Sequence, residues 1–410
     1  MQKRSFLFLQ GVASPFFSML SDALRADGHK VFKINFNGGD TFYNGLRDGE
    51  AYRRRREGLA EYFAIKYRDW EISDQIMFGD CRPIHQIASI EGEAAGVRTH
   101  VFEEGYFRPY WITLERHGVN GRSLLPKNPG WYRDIGSRLP NPRASAKQFV
   151  SSFSKRAIYD VLYHLAGVLN PLLYRGYHTH APVNAMVEYA AYLRRYVLLS
   201  SLKAQHYFLK PANASYKDQP YYLLPLQLNG DAQIQHYSSF NDMSHMLEQV
   251  LLSFARYAPI ETKLVIKNHP LDMRLFNYPR LIDNLTQAYD LKDRVTYLEY
   301  GDLNDLIEKS SGVVTVNSTV GLVALEYGIP VIALGQSIYG MKGLTFQGDL
   351  DDFWVMLEKP DRALFQCFRN VVLHTTQING GFYTRESIKV GLKQCIESLT
   401  REQSLLEELL

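Results

Sequence analysis

The chain has 410 residues, 46% of them hydrophobic and 22% charged, with a formal net charge of only +3. That length accommodates two domains of ordinary size, each with its own core, and the composition is that of a folded globular protein. So small a charge excess argues against nucleic-acid binding driven by bulk charge, and no apolar run approaches the ~18–20 residues that cross a bilayer as a helix.

Phe6–Gln10 follows Lys3-Arg4 as the apolar core of a signal peptide would. It is short, however, and Gln10-Gly11 ends it without a cleavage-type site, so it reads as a first β-strand. A loop, a helix over Phe16–Asp27 stopped at Gly28 and a strand over Lys30–Asn35 follow, then a loop at Asn37-Gly38-Gly39-Asp40. Gln75–Phe78 and Val97–Phe102 are further strands, ending in Gly79-Asp80-Cys81-Arg82-Pro83-Ile84-His85 and Glu103-Glu104-Gly105-Tyr106, with a helix to about Ala95 between them. Such alternation implies parallel strands with right-handed crossovers, whose ligands lie beyond the strand C-termini.

Residues 120–150 are rich in Gly, Pro, Arg and Ser and read as a surface excursion; from Lys155 to about Ser201 the pattern is helical. A second unit begins near Gln205, with strands at Tyr221–Gln227, Lys263–Lys267, Arg294–Leu298, Val313–Val316 and Pro330–Leu334. Helices are expected at Asn241–Tyr257, Leu303–Ser310 and Thr319–Tyr327, and an amphipathic helical tail from about Arg385. The expected organisation is an N-terminal Rossmann-like domain over 1–200 with a helical insert, a second Rossmann-like domain over 205–365 and a tail over 380–410, with a cleft between the domains. Three cysteines, Cys81, Cys367 and Cys395, show neither metal nor redox spacing, and so sparse a set fits a reducing, cytoplasmic compartment.

Two segments carry the chemistry. Lys267-Asn268-His269-Pro270 ends an apolar run, so His269 falls just past a strand end, where it can donate to a phosphate while Lys267 supports the nucleotide and Pro270 fixes the turn. Ser318 and Thr319 open a helix, where hydroxyls and unsatisfied N–H groups meet the positive end of the dipole. Each has a plainer reading, a loop-capping histidine and an ordinary N-cap; together in one domain they point to a nucleotide-sugar site. Asp80, His85, Glu103 and Glu104 follow strands of the first domain and are candidates for the acceptor side or a general base, or for loop salt bridges. His178-x-His180 spaces like half a metal site without a completing ligand, and no metal is expected. Arg53–Arg56 and the set Arg143, Lys147, Lys155 and Arg156 are either solvated faces or contacts to anionic headgroups.

Lys-x-His-Pro, the Ser-Thr helix start and Gly328-Ile329-Pro330-Val331 resemble the CMP-binding half of bacterial glycosyltransferases that use CMP-activated keto-sugars. Leu9-Gln10-Gly11, Asn35–Asp40, Phe78–His85, Glu103–Tyr106 and Tyr177–Pro182 narrow the likeness. Over nearly its whole length the chain resembles the KpsS-type capsule polysaccharide biosynthesis and export proteins of Gram-negative bacteria. The resemblance implies a GT-B-like fold whose C-terminal helix packs back across the domains. It also implies a retaining β-Kdo (3-deoxy-manno-octulosonic acid) transferase, peripheral on the inner face of the inner membrane. Its donor would be CMP-β-Kdo and its acceptor a phosphatidylglycerol-type lipid, with no cofactor, and other capsule synthesis and export proteins as partners. A Gln-x-x-Gly-Asp-type loop of related transferases maps onto Gln227 and Asp231, with Asp231 as nucleophile; without the resemblance Asn229-Gly230-Asp231 reads equally as a hairpin turn. The rivals are another nucleotide-activated donor, such as CMP-sialic acid or CDP-glycerol, and a non-catalytic adaptor of the export complex.

Overall fold

The computed structural model describes residues 3–141, 146–150, 152–177, Arg194, 219–228, 232–272 and 274–410. They form two units, Met1–Pro126 with Ile135–His180 and Arg369–Leu410, and Lys127–Asp134 with Ala181–Phe368.

In the first unit the apolar runs form β1 (Ser5–Phe8), β2 (Lys30–Asn35), β3 (Glu50–Ala51), β4 (Asp74–Phe78), β5 (Arg98–Glu104) and β6 (Trp111–Arg116). The second unit holds β7 (Tyr221–Pro225), β8 (Lys263–Lys267), β9 (Val295–Leu298), β10 (Gly312–Thr315) and β11 (Val331–Ala333), and β12 (Gln377–Asn379) returns to the first. The two sheets run β12-β6-β5-β4-β1-β2-β3 and β11-β10-β7-β8-β9. All pairs are parallel except β5 with β6 and β6 with β12.

β1 is buried along its length because helices cover both faces, which is why a parallel strand reads as an unbroken apolar run. On one side Phe16, Leu20 and Leu24 of the Phe16–Ala26 helix meet Ile388, Cys395 and Leu399 of the Arg385–Thr400 helix. On the other, Phe63 and Tyr67 of Leu59–Asp69 pack with Ala88 of Pro83–Ala94. The tail helix thus belongs to the first unit, started by a Thr384–Ser387 capping box. Arg4 and Arg116 bind the carbonyl of Arg401 at 2.9 and 2.7 Å. Behind them Asp74 is fully buried against His100 at 2.8 Å and Arg98 at 2.9 Å. Burial alone would raise its pKa, but the His100 bond and the Arg98 charge hold it well below the carboxylate range.

The second sheet has the 3-2-1-4-5 order of a nucleotide-binding half, so its switch point lies between β7 and β10. Met243–Tyr257, capped by Asp242, buries Met246, Val250 and Phe254 in its core.

Several expectations are corrected. Asn37–Asp40 is not a loop but the start of a helix, Gly38–Asn44, with Asn37 as N-cap accepting from the Asp40 N–H. Glu103 and Glu104 do not follow a strand; they close β5, because antiparallel β6 extends the ladder through Glu104↔Ile112. The 120–150 excursion contains a helix, Pro129–Arg138. The helices Tyr278–Ala288 and Arg362–Thr375 went unread, the first because Asn277-Tyr278-Pro279 reads as a turn although it is a capped helix start.

Candidate functional site

β7 lies between β8 and β10, with Leu223 level with Val265 and Val313. Gln227, His269 and Asn317 each follow the C-terminal end of one of these three strands. Strand spacing puts the β8 and β10 ends about 10 Å apart. A phosphate with a side chain reaching from each side fills such a span.

At the switch point Gln227 and Asn317 are joined twice: Gln227 Nε2 donates to Asn317 Oδ1 at 3.2 Å, and the Asn317 N–H donates to Gln227 Oε1 at 3.3 Å. Both are buried, so this amide pair fixes the two strand ends relative to each other.

The β8 turn is built around Asn268, which is almost wholly buried. Its Nδ2 donates to Asp272 Oδ2 at 3.0 Å and Glu299 Oε2 at 3.1 Å, and its Oδ1 accepts the His269 N–H at 2.8 Å. Glu299 is further held by Arg274 at 3.3 Å, and Arg274 takes a left-handed φ of 53°. His269 Nδ1 accepts the Leu271 N–H at 3.1 Å, so a neutral ring carries its proton on Nε2. That tautomer makes Nε2 a donor, which is what an anionic leaving group requires. Lys267 is buried and its Nζ donates to the carbonyls of Asn268 at 2.8 Å and Glu299 at 3.4 Å, so it braces this turn from beneath.

Past β10, Thr319 rather than Ser318 is the N-cap of Val320–Tyr327, and its hydroxyl makes no capping bond. Ser318 does that work, its Oγ accepting the Val320 N–H at 3.2 Å. Tyr339 lies over the helix start and donates to the Ser318 carbonyl at 2.6 Å. It comes so close that a Cβ on Gly321 would sit 2.4 Å from its hydroxyl. Pro270 opens the turn after His269.

The structure thus brings Gln227, Lys267, His269, Pro270, Ser318 and Thr319 to one edge of one sheet. Asp231 lies outside the described residues, as do Asn229, Gly230, Arg143 and the His178–Pro182 motif; the helix Ala232–Tyr237 begins directly after Asp231.

In the first unit Asp80, His85, Glu103 and Glu104 lie at or beyond the ends of β4 and β5. Asp80 is buried, accepting from the Val119 N–H and the Cys81 thiol at 3.3 Å each. His85 is buried, with Nδ1 donating to the Gly79 carbonyl at 2.6 Å. Burial pushes the Glu103 carboxyl up to about 7, and the Glu104 charge adds to it against the Glu104 N–H, Arg82 and Arg108. Glu104 binds Tyr383 at 2.9 Å and Arg156 at 3.2 Å. Glu115, also raised to about 7 by burial, accepts from Tyr106 at 2.6 Å and from Ser123. Sequence reasoning missed Glu115 in a strand, Glu299 and Tyr339 in loops without motif context, and Asp272, two residues past the recognised Lys267–Pro270 motif. Asn268 was inside a recognised motif, and its position between Lys267 and His269 was the available signal. Among the described residues no cluster of three His, Cys, Asp or Glu residues has metal-site geometry.

A family model described as "Capsule polysaccharide biosynthesis protein" matches residues 73–383. The chain is 36% identical to the capsule polysaccharide export protein KpsS of Escherichia coli over 93% of this chain and 97% of that protein. It is 33% identical to the capsule polysaccharide modification protein LipB of Neisseria meningitidis serogroup B, covering 92% of this chain and 91% of that one. Among solved structures it is similar to the Thermosulfurimonas dismutans KpsC β-Kdo 2,7 transferase, with a TM-score of 0.44 and 14% identity over 97% of this chain and 98% of that.

Proposed function

The chain belongs to the family of capsule polysaccharide biosynthesis proteins, and on that premise we propose that it is a retaining β-Kdo transferase. Its donor is CMP-β-Kdo and its acceptor a phosphatidylglycerol-type lipid at the inner face of the inner membrane, so that it starts a poly-Kdo linker. The observation that carries the donor half is the His269 tautomer: a ring whose Nδ1 is occupied by a backbone N–H, just past the end of β8, the strand beside β7, whose end is tied to that of β10 across the switch point by Gln227 and Asn317.

In this scheme the CMP phosphate sits between His269 Nε2–H and the start of the Val320–Tyr327 helix, so the bond from the anomeric carbon to the phosphate oxygen breaks against fixed donors. The Asp231 carboxylate attacks the anomeric carbon from the opposite face, forming a glycosyl ester as CMP leaves with the bonding pair. An acceptor hydroxyl then displaces that ester and gives up its proton to a base. Glu103, with a pKa near neutrality, suits that task. No metal enters the scheme.

A lipid surface is supported by an exposed apolar ridge on the first unit. Ile158, Val161, Leu165, Val168 and Leu172 recur at three- and four-residue steps along Phe153–Ala166 and the turns after it, and Leu165 and Leu172 are 64% and 67% exposed. Lys155 and Arg175 are exposed beside it in sequence, the composition of an interfacial helix. Among the described residues no helix is long and apolar enough to cross a membrane.

Incubation of the protein with CMP-β-Kdo and phosphatidylglycerol, read by mass spectrometry, tests the reading. A product heavier by one Kdo, absent with Asp231→Ala, is expected. The name of the export-protein relative favours one rival, a non-catalytic adaptor; that reading wins if no product forms while the chain still associates with transport components.

A further inference from the structure

The first unit holds a cavity of about 200 Å³ lined by Gln10, Tyr52, Arg54, Arg56, Arg82 and Tyr177 among others. From its charge and construction we infer that it is a binding site for a phosphate ester, held by the three arginines. It deepens the acceptor half of the function proposed above, but its own argument is independent of the donor.

Three arginines, Arg54, Arg56 and Arg82, line this space, and among the described residues none has a carboxylate within ion-pair distance. Arginines on a solvated face normally diverge or pair; three sharing one concavity make it electropositive, with Glu103 acting on Arg82 alone and only at longer range, and such a concavity favours an anion from outside. Phosphate matches them best, because its oxygens accept from two guanidiniums bidentately at once.

The walls are fixed. Arg82 is the N-cap of the Pro83–Ala94 helix, its Nη1 donating to the Gly11 carbonyl at 3.3 Å and its guanidinium lying 5.6 Å over Phe78. The first turn of that helix lines the same wall through Pro83, which brings no N–H, and Ile84, whose first-turn N–H has no intrahelical acceptor. The turn carrying Arg54 and Arg56 is tied by Tyr52, whose hydroxyl donates to the Arg55 carbonyl at 2.6 Å. It is further packed by Gly176, where a Cβ would lie 2.0 Å from the Arg54 carbonyl oxygen. Arg53 and Arg55, in the same run, are not part of the lining. The run is therefore not a uniform basic patch: alternate members face the cavity. The volume holds several waters and lies below the ~300–1,000 Å³ of drug-sized pockets, a size that suits a phosphate with a short polyol. The ligand is thus a headgroup-sized ester, soluble or presented by a lipid.

Calorimetric titration of the full chain with sn-glycerol 3-phosphate, and with phosphatidylglycerol or phosphatidylcholine vesicles, tests this. Saturable glycerol phosphate binding, weakened at least about tenfold by Arg82→Gln and by Arg54→Gln with Arg56→Gln, is expected from the loss of charge-assisted bonds. The paired Arg53→Gln and Arg55→Gln variant keeps wild-type affinity. Binding of phosphatidylglycerol vesicles alone, with the same variant pattern, assigns the ester to a lipid headgroup. If neither probe binds, or if the two arginine pairs lose affinity equally, the cavity assignment is overturned. Melting midpoints equal to wild type show that a loss is not unfolding. A parallel CMP titration, expected to be unaffected, separates failure here from failure of the donor site.

Discussion

The strand-end edges of the two units use buried polar groups in opposite ways. At the edge of the second unit Gln227, Asn317, Asn268, Asp272 and Glu299 satisfy one another at 3.0–3.3 Å, and the result is geometry: fixed strand ends and one imidazole tautomer. In the first unit, at the end of β5 and within β2 and β6, burial instead draws pKa values toward neutrality. Lys33 is lowered to about 8, while Glu103 and Glu115 are raised to about 7. A leaving group already as good as CMP needs a rigid, correctly charged cradle, whereas an acceptor hydroxyl needs a base that titrates near neutrality. The difference between the edges suits the division of labour proposed above.

Substitutions break the comparison in decreasing order of effect. Asp231→Ala removes the proposed attacking carboxylate, and turnover is expected to fall about a thousandfold or more while CMP affinity is retained; a near-normal rate in single-turnover kinetics removes it from the mechanism. His269→Ala lowers both turnover and CMP affinity, turnover by about a hundredfold, the scale of one lost transition-state donor. If Glu103 is the base, as proposed, Glu103→Gln abolishes the ascending limb of kcat/KM near pH 7, because that carboxyl, raised to about 7, must ionise to accept the proton. An unchanged pH–rate profile excludes Glu103.

Two further changes sharpen the structural side. Asn268→Ala strands two carboxylates that it now bridges and costs about 1–3 kcal/mol in denaturant unfolding, with a larger loss in CMP affinity than in fold. Glu115→Gln works the other way. A carboxyl raised in the folded state stabilises below its unfolded pKa of about 4.5, and that contribution is lost as pH rises through about 7. The variant therefore melts higher than wild type at pH 8, and the gain vanishes at pH 4.

Much of this was legible in the chain. Lys267–Pro270 and Ser318-Thr319 announce themselves because a buried parallel strand is a continuous apolar run that stops abruptly at polar residues. What could not be read is long-range. Glu299 meets Asn268 only because β9 lies beside β8, and Tyr339 seals the helix start from a loop with no motif of its own. β6 and β12 went unseen because they form the antiparallel edge of an otherwise parallel sheet, where crossover logic gives no signal. The pocketed members of Arg53–Arg56 were equally hidden, since a charge run does not state which of its members face inward.

The central claim is that one imidazole and one helix mouth hold the same phosphate. Titration of CMP into the full chain, into His269→Ala and into the double variant Ser318→Ala with Thr319→Val tests it most directly. Binding to wild type with at least about tenfold weakening in each variant is the predicted result, the scale of one or two charge-assisted hydrogen bonds. CMP binding to either variant as tightly as to wild type contradicts the account.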